Sequence, residues 1–154
     1  MPGKISMDMK LDKKLMNKIE ADLKKLGKVP QKSVTKAARA GARIAYKAAK
    51  AKAPVDTGNL KRGIIIKAEQ RRVTGKKVFD ITISANMNDV FVKISAAGKR
   101  SYYPSSQEYG YFTRNGRYIP GYRYLRRAID DHAAAIRKTT LDTLGKDIDK
   151  ALKG

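Results

Sequence analysis

The chain has 154 residues and a mass of 17.1 kDa, enough for one domain of ordinary size with a real hydrophobic core. It carries 35 Lys and Arg against 14 Asp and Glu, a formal charge of +21, and no cysteine. That composition excludes disulfides, thiolate catalysis and Cys-based zinc sites, and it points to a negatively charged partner, the alternative being a solvated helix face with Lys for solubility. No apolar run reaches the ~20 residues of a membrane span, and the first residues do not resemble a signal peptide. A soluble protein made in a reducing cytoplasm is expected, without contact to a membrane.

In chain order, Leu11, Leu15, Met16, Ile19, Leu23 and Leu26 recur at helical spacing. Asp8 or Asp12 can start that helix, and Gly27 and Pro30 can end it. A second helix is expected from Gln31 to Ala53. Its stripe of Val34, Ala37, Ala38, Gly41, Ile44, Ala45 and Ala48 is mostly small, so another element can approach closely. Pro54 disfavours helix in its predecessor and should stop it. Residues 1–52 hold 15 basic and 4 acidic groups, the densest excess in the chain.

Pro54-Val55-Asp56-Thr57-Gly58-Asn59-Leu60 is a turn by composition, in which Asp56 or Thr57 would accept a backbone N–H from the next turn. Ile64-Ile65-Ile66 opens a strand, and a basic turn over 71–76 reverses it. Phe79, Ile81 and Ile83 alternate with polar residues as a half-buried strand. Val90, Val92 and Ile94 would form a third, giving an antiparallel meander. Residues 96–123 show no clear period and are expected as a long interaction loop. The last helix is expected from about Tyr124 onward. The fold class is therefore α+β: N-terminal helices, small antiparallel β-meander, long Tyr/Arg-rich loop and C-terminal helix. Its divisions are 1–53, 54–95, 96–123 and 124–154 within a single domain.

Chemistry has little foothold. Asp56-Thr57-Gly58 is the tripeptide of aspartic proteases, but that chemistry needs two carboxylates sharing a proton, and here the tripeptide follows a helix end. A protease reading would require a second copy in a homodimer. His132 is the only histidine, and imidazole metal sites need several spaced ligands. No phosphate-binding glycine loop occurs. No catalytic residue, metal or cofactor is expected.

Seven of the eight tyrosines lie within 23 residues, interleaved with arginine. The residues singled out there are Arg100, Tyr102, Tyr103, Glu108, Tyr109, Tyr111, Arg114, Tyr118, Tyr122 and Arg123. Tyr and Arg dominate protein interfaces, and the same pair stacks on bases and holds phosphate. A lid over the domain's own core would also use such tyrosines. All three uses stand open on composition alone, and a basic DNA-binding module remains an alternative function.

The stretch Ala51-Lys52-Ala53-Pro54-Val55-Asp56-Thr57-Gly58-Asn59-Leu60 resembles the signature of a family of tailed-phage neck proteins. These are the head–tail joining or tail-completion proteins typified by the tenth gene product of a lambda-like coliphage. An aromatic–Glu-x-Gly motif is met by Tyr102 or Tyr103 with Glu108-Tyr109-Gly110, and Tyr124-Leu125 and Ala128 lead into the last helix as in that family. Gly63 stands where members often have Ser, and Tyr111 where Thr commonly follows the glycine. Pro120-Gly121-Tyr122 replaces a Pro-Phe pair. The resemblance implies a structural virion protein assembled in the host cytoplasm and located at the neck or tail. It would form a homo-oligomeric ring, six-fold by analogy, against connector, terminator or tail-tube proteins, with DNA in transit nearby. Pro54, Asp56, Thr57, Gly58 and Leu60 would be its structural turn.

Overall fold

The computed structural model describes residues 17–18, 21–22, 24, 27, 31–70 and 76–154. Most of the first expected helix and the turn at 71–75 lie outside them, although positions 17, 18, 21, 22 and 24 are helical. Helix α1 spans Gln31–Lys52, and its buried residues are Ala37, Gly41, Ala45, Ala48 and Ala49. The Ala53 N–H still reaches the Ala49 carbonyl at 2.9 Å, and the chain leaves the helix at Pro54 as expected.

The small stripe of α1 receives the last helix, α6 (Ala133–Lys153), in antiparallel register. Lys36 pairs with Asp147 at 3.1 Å and Lys52 with Asp131 at 2.8 Å. A Cβ at Gly41 would lie 2.2 Å from Thr140 Oγ1 and 3.2 Å from the Ile136 carbonyl, so the helices meet there closely enough that any side chain at 41 must displace Thr140. Hydrogen bonds from Lys52 and Lys36 are the main cause that lowers the Asp131 and Asp147 carboxyls below the ordinary aspartate range. These exposed pairs set register more than they stabilise.

Between the two helices the chain forms α2 (Asn59–Gly63), then strands β1 (Ile64–Ala68) and β2 (Phe79–Ile83). They pair antiparallel with Ile64 opposite Ile83 and Ile66 opposite Ile81, and this row faces α1. The core gathers at the C-terminal end of α1: Ala48, Ala49, Ala53, Leu60, Ile64, Tyr124 and Ala128, flanked by Tyr46, Ile81, Ile83, Tyr103 and Leu125. Among its fully buried members α1 contributes only alanines, so the large buried side chains come from elsewhere.

The class is α+β, and its sheet pairing differs from a three-stranded meander. After β2 come a 3₁₀ turn (Ala85–Met87) and a short helix, α3 (Asn88–Phe91). Strand β3 (Val92–Ile94) pairs with β4 (Arg100–Tyr102) in a hairpin separate from β1 and β2. Burial of Phe91, 1 % exposed, breaks the expected alternation. Its ring meets Tyr102 edge-on at 6.3 Å and stacks on Tyr103 at 6.5 Å. A Cβ at Gly63 would lie 2.7 Å from that ring, so the glycine makes the space.

The segment expected as a loop, 96–123, is ordered into β4, helix α4 (Tyr103–Tyr109) and the hairpin β5 (Gly110–Phe112) with β6 (Tyr118–Pro120). The C-terminal helix is two: α5 (Tyr124–Asp130) and α6 are separated by a turn at Asp131 and His132. No helix among the described residues is long and apolar enough to cross a membrane.

Candidate functional site

Helix α5 begins at Tyr124 with no Ser, Thr, Asp or Asn at its cap; Arg123 holds that place in a left-handed conformation, φ 52°. The first N–H groups of a helix have no internal partner and favour a negative neighbour. Glu108 supplies it from 17 residues upstream of Leu125. Its Oε2 accepts the Leu125 N–H at 2.9 Å and its Oε1 accepts the Arg126 N–H at 3.1 Å. Its carbonyl accepts the Arg123 N–H at 3.1 Å, and the Gln107 carbonyl accepts the Tyr122 N–H at 2.7 Å. Glu108 is only 5 % exposed, so the expectation that it belongs to a docking surface is corrected: it is a remote helix cap.

The backbone around this cap is close-packed. Gly110 has φ 89°, and a Cβ there would lie 2.3 Å from the Ile119 carbonyl. At Gly121 a Cβ would lie 2.4 Å from the Glu108 carbonyl and 2.5 Å from the Gly110 nitrogen. Glu108-Tyr109-Gly110 and Pro120-Gly121-Tyr122 are thus laid backbone against backbone. Tyr124, fully buried beside them, donates its hydroxyl to the Pro104 carbonyl at 3.4 Å. Burial, with the Glu108 charge adding, raises its phenol far above the ordinary tyrosine range.

From this frame a hairpin carries aromatic rings outward. Tyr109 and Phe112 are each 72 % exposed, and Tyr111, Tyr118 and Tyr122 are about half exposed or more. Phe112 and Tyr118 hold each other at 5.2 Å between ring centroids, and the Tyr118 hydroxyl donates to the Tyr109 carbonyl at 2.5 Å. Arg114 is exposed at the turn with Arg117 after it, and Arg123 is exposed at the base. Phe112 is not among the residues the sequence singles out, although its place between Tyr111 and Arg114 marks it. Arg100 is also exposed, on the other hairpin, with its guanidinium 6.0 Å from the Tyr102 ring. Tyr102 and Tyr103 behave differently: half-buried on Phe91, they close the domain's own core.

In the turn, Leu60 is 2 % exposed in the core and Gly58 takes φ 77° just before α2. No side chain caps α2 at Gly58; Asp56 and Thr57 are exposed. The capping role expected of them is corrected, because left-handed Gly58 lets the chain enter α2 without one. Instead Asp56, Thr57 and Asn59 line a cavity of about 430 Å³ whose other walls include Tyr103, Gln107 and Tyr111. Two motifs distant in sequence therefore share one concavity. Burial raises the Tyr103 phenol, and the Asp56 carboxylate and Tyr122 add to that. Asp56 is the one carboxylate among the described residues lining this cavity, so no acid pair forms there.

His132 lies in the turn between α5 and α6 instead of inside a helix, with Nδ1 buried and unpartnered among the described residues. No three His, Cys, Asp or Glu side chains among those residues are grouped to hold a metal.

Residues 17–110, more than half of the chain, match the family model described as "Bacteriophage HK97-gp10, putative tail-component". No curated protein and no solved structure matches the chain.

Proposed function

The chain belongs to the HK97 gp10-like family of bacteriophage tail components, and we propose that it is a tail-completion or head–tail connector subunit forming a homo-oligomeric ring at the neck. A structural phage protein works by adhesion, and this one needs no catalytic centre or cofactor for it. The observation that carries the proposal is the exposed aromatic hairpin. Rings at 109, 111, 112, 118 and 122 stand in water on a frame already locked by the Glu108 cap and the close Gly110–Gly121 approach. Pre-ordered aromatic side chains lose little entropy on docking and make the strongest interface anchors.

A hairpin that meets a different surface on the next protomer makes a heterologous contact, which closes into a ring when the rotation permits. The exposed Asp56 cavity, walled by Tyr111 at the hairpin base, is one surface of suitable relief. Six copies follow the family analogy. Connector, terminator or tail-tube proteins would stack on the ring faces within the virion, after assembly in the host cytoplasm.

Tyr109→Ala with Phe112→Ala is expected to weaken self-association by at least ~30-fold, the equivalent of ~2 kcal/mol. Sedimentation velocity over a concentration series reads the change. At a concentration where both proteins are monomeric the urea midpoint should change little, because both side chains are exposed. Association of wild-type strength in a folded double variant contradicts the proposal.

A further inference from the structure

Helix α1 has 22 residues, seven of them Lys or Arg and none acidic. Lys32, Lys36, Arg39, Arg43, Lys47 and Lys50 follow one another at steps of three or four. At ~100° per residue these six fall within an arc of roughly 80°. Five are exposed and Lys50 is half-buried, while the opposite face buries Ala37, Gly41, Ala45 and Ala48. The row runs for ~27 Å, at 1.5 Å per residue.

Three members are partly engaged. Lys36 pairs with Asp147, the Arg39 guanidinium lies 5.6 Å from the Phe79 ring, and the Lys50 ammonium lies 4.6 Å from the Tyr46 ring. None of the ion pairs among the described residues involves Lys32, Arg43 or Lys47. Such a row of like charges repels itself unless a partner supplies anions at regular intervals.

We infer that this face of α1 is a track for the sugar–phosphate backbone of duplex DNA, held without regard to sequence. Over ~27 Å one strand of a duplex presents about eight phosphates, and the row sets six cations against them along its whole length. Single strands are held chiefly by stacking on aromatic rings, and the arc itself carries none: Tyr46 packs against the core with Lys50 above it, and Phe79, on β2, lies beneath the Arg39 guanidinium. Base edges are read by amides, carboxylates and bidentate arginine; between Lys32 and Lys50 the helix has no amide or carboxylate side chain, and of its two arginines Arg39 lies over the Phe79 ring, which leaves Arg43 alone among lysines. A protein partner would be met by mixed polar and apolar groups, whereas this arc is cationic throughout. The track works in a monomer and in a ring alike, so it stands apart from the proposed oligomer.

The test is fluorescence anisotropy with a duplex of about 30 base pairs and arbitrary sequence, from ~50 to ~200 mM NaCl. The wild-type logarithm of affinity should fall linearly with the logarithm of salt. Lys32→Gln with Arg43→Gln and Lys47→Gln should make that slope shallower by ~2.7, at ~0.9 for each phosphate left without its cation. Removing the same charge elsewhere, by Lys67→Gln with Lys99→Gln and Arg137→Gln, all exposed, should leave the slope nearly unchanged. Equal decreases in both triple variants would mean diffuse attraction and overturn the inference. So would a flat salt response, or displacement of the duplex by polyglutamate at equal charge concentration. Should the α1 variant lose its helical circular dichroism, acetylation of the wild-type protein serves instead: duplex must shield Lys32 and Lys47 and leave Lys138 reactive, and equal reactivity with and without duplex rejects the track.

Discussion

Replacing Glu108 by alanine should lower the unfolding free energy by about 3 kcal/mol, read from urea denaturation followed by far-ultraviolet circular dichroism. Two backbone N–H groups, of Leu125 and Arg126, lose a charged acceptor at once. Hydrogen bonds to charged groups contribute ~1.5–3 kcal/mol each, and water replaces them poorly where the glutamate is only 5 % exposed. For a domain stabilised by ~5–15 kcal/mol in all, this is a large fraction. Glu108→Gln keeps one acceptor oxygen, so it should recover about half of the loss. An alanine variant within ~0.5 kcal/mol of wild type would remove the capping role.

The second large effect is expected at Gly121. Alanine there places a carbon 2.4 Å from one carbonyl oxygen and 2.5 Å from a backbone nitrogen, and neither atom can swing aside as a side chain would. The Glu108–Gly110 segment must move and carry the cap with it, at a cost of about 3 kcal/mol or more. The same substitution at Gly145 should do the opposite. No described atom lies within 4 Å of that Cβ position, and helix propensity alone should raise stability by ~0.5–1 kcal/mol. Because Gly121 presses on Glu108 itself, the double variant should lose less than the sum of the two single losses. Full additivity would show that the two positions act separately.

Helix α1 and strands β1 and β2 are legible in the sequence because each repeats its period long enough to be read. The small stripe announces the close approach of another element, and Gly41 against Thr140 of α6 is that approach. The segment from Arg100 to Pro120 defeats the same method, since its strands are three residues long and pair only locally. Phe91 reads as a strand residue because burial against Tyr102 and Tyr103 is a tertiary event with no local mark.

Glu108 reads as a surface anchor from the company it keeps, a run of tyrosine and arginine. A signal to the contrary exists: the helix starting at Tyr124 has no capping residue of its own, so a distant group has to serve. Asp56 is the converse case, a good capping residue by type that caps nothing and faces a cavity. Of the Tyr/Arg segment, Tyr109, Tyr111, Tyr118 and Tyr122 turn outward, whereas Tyr102, Tyr103 and Tyr124 turn inward. Total charge is plain from composition, whereas the row of six cations along one side of α1 follows only once the helix is given.

Self-assembly is the claim on which the function rests, and the mass of the wild-type protein in solution tests it most directly. Light scattering from micromolar to tens of micromolar should give a fixed multiple of 17.1 kDa, with annular particles in negative-stain images of the same sample. A mass of one chain across the whole range, with no annular particles, would contradict it.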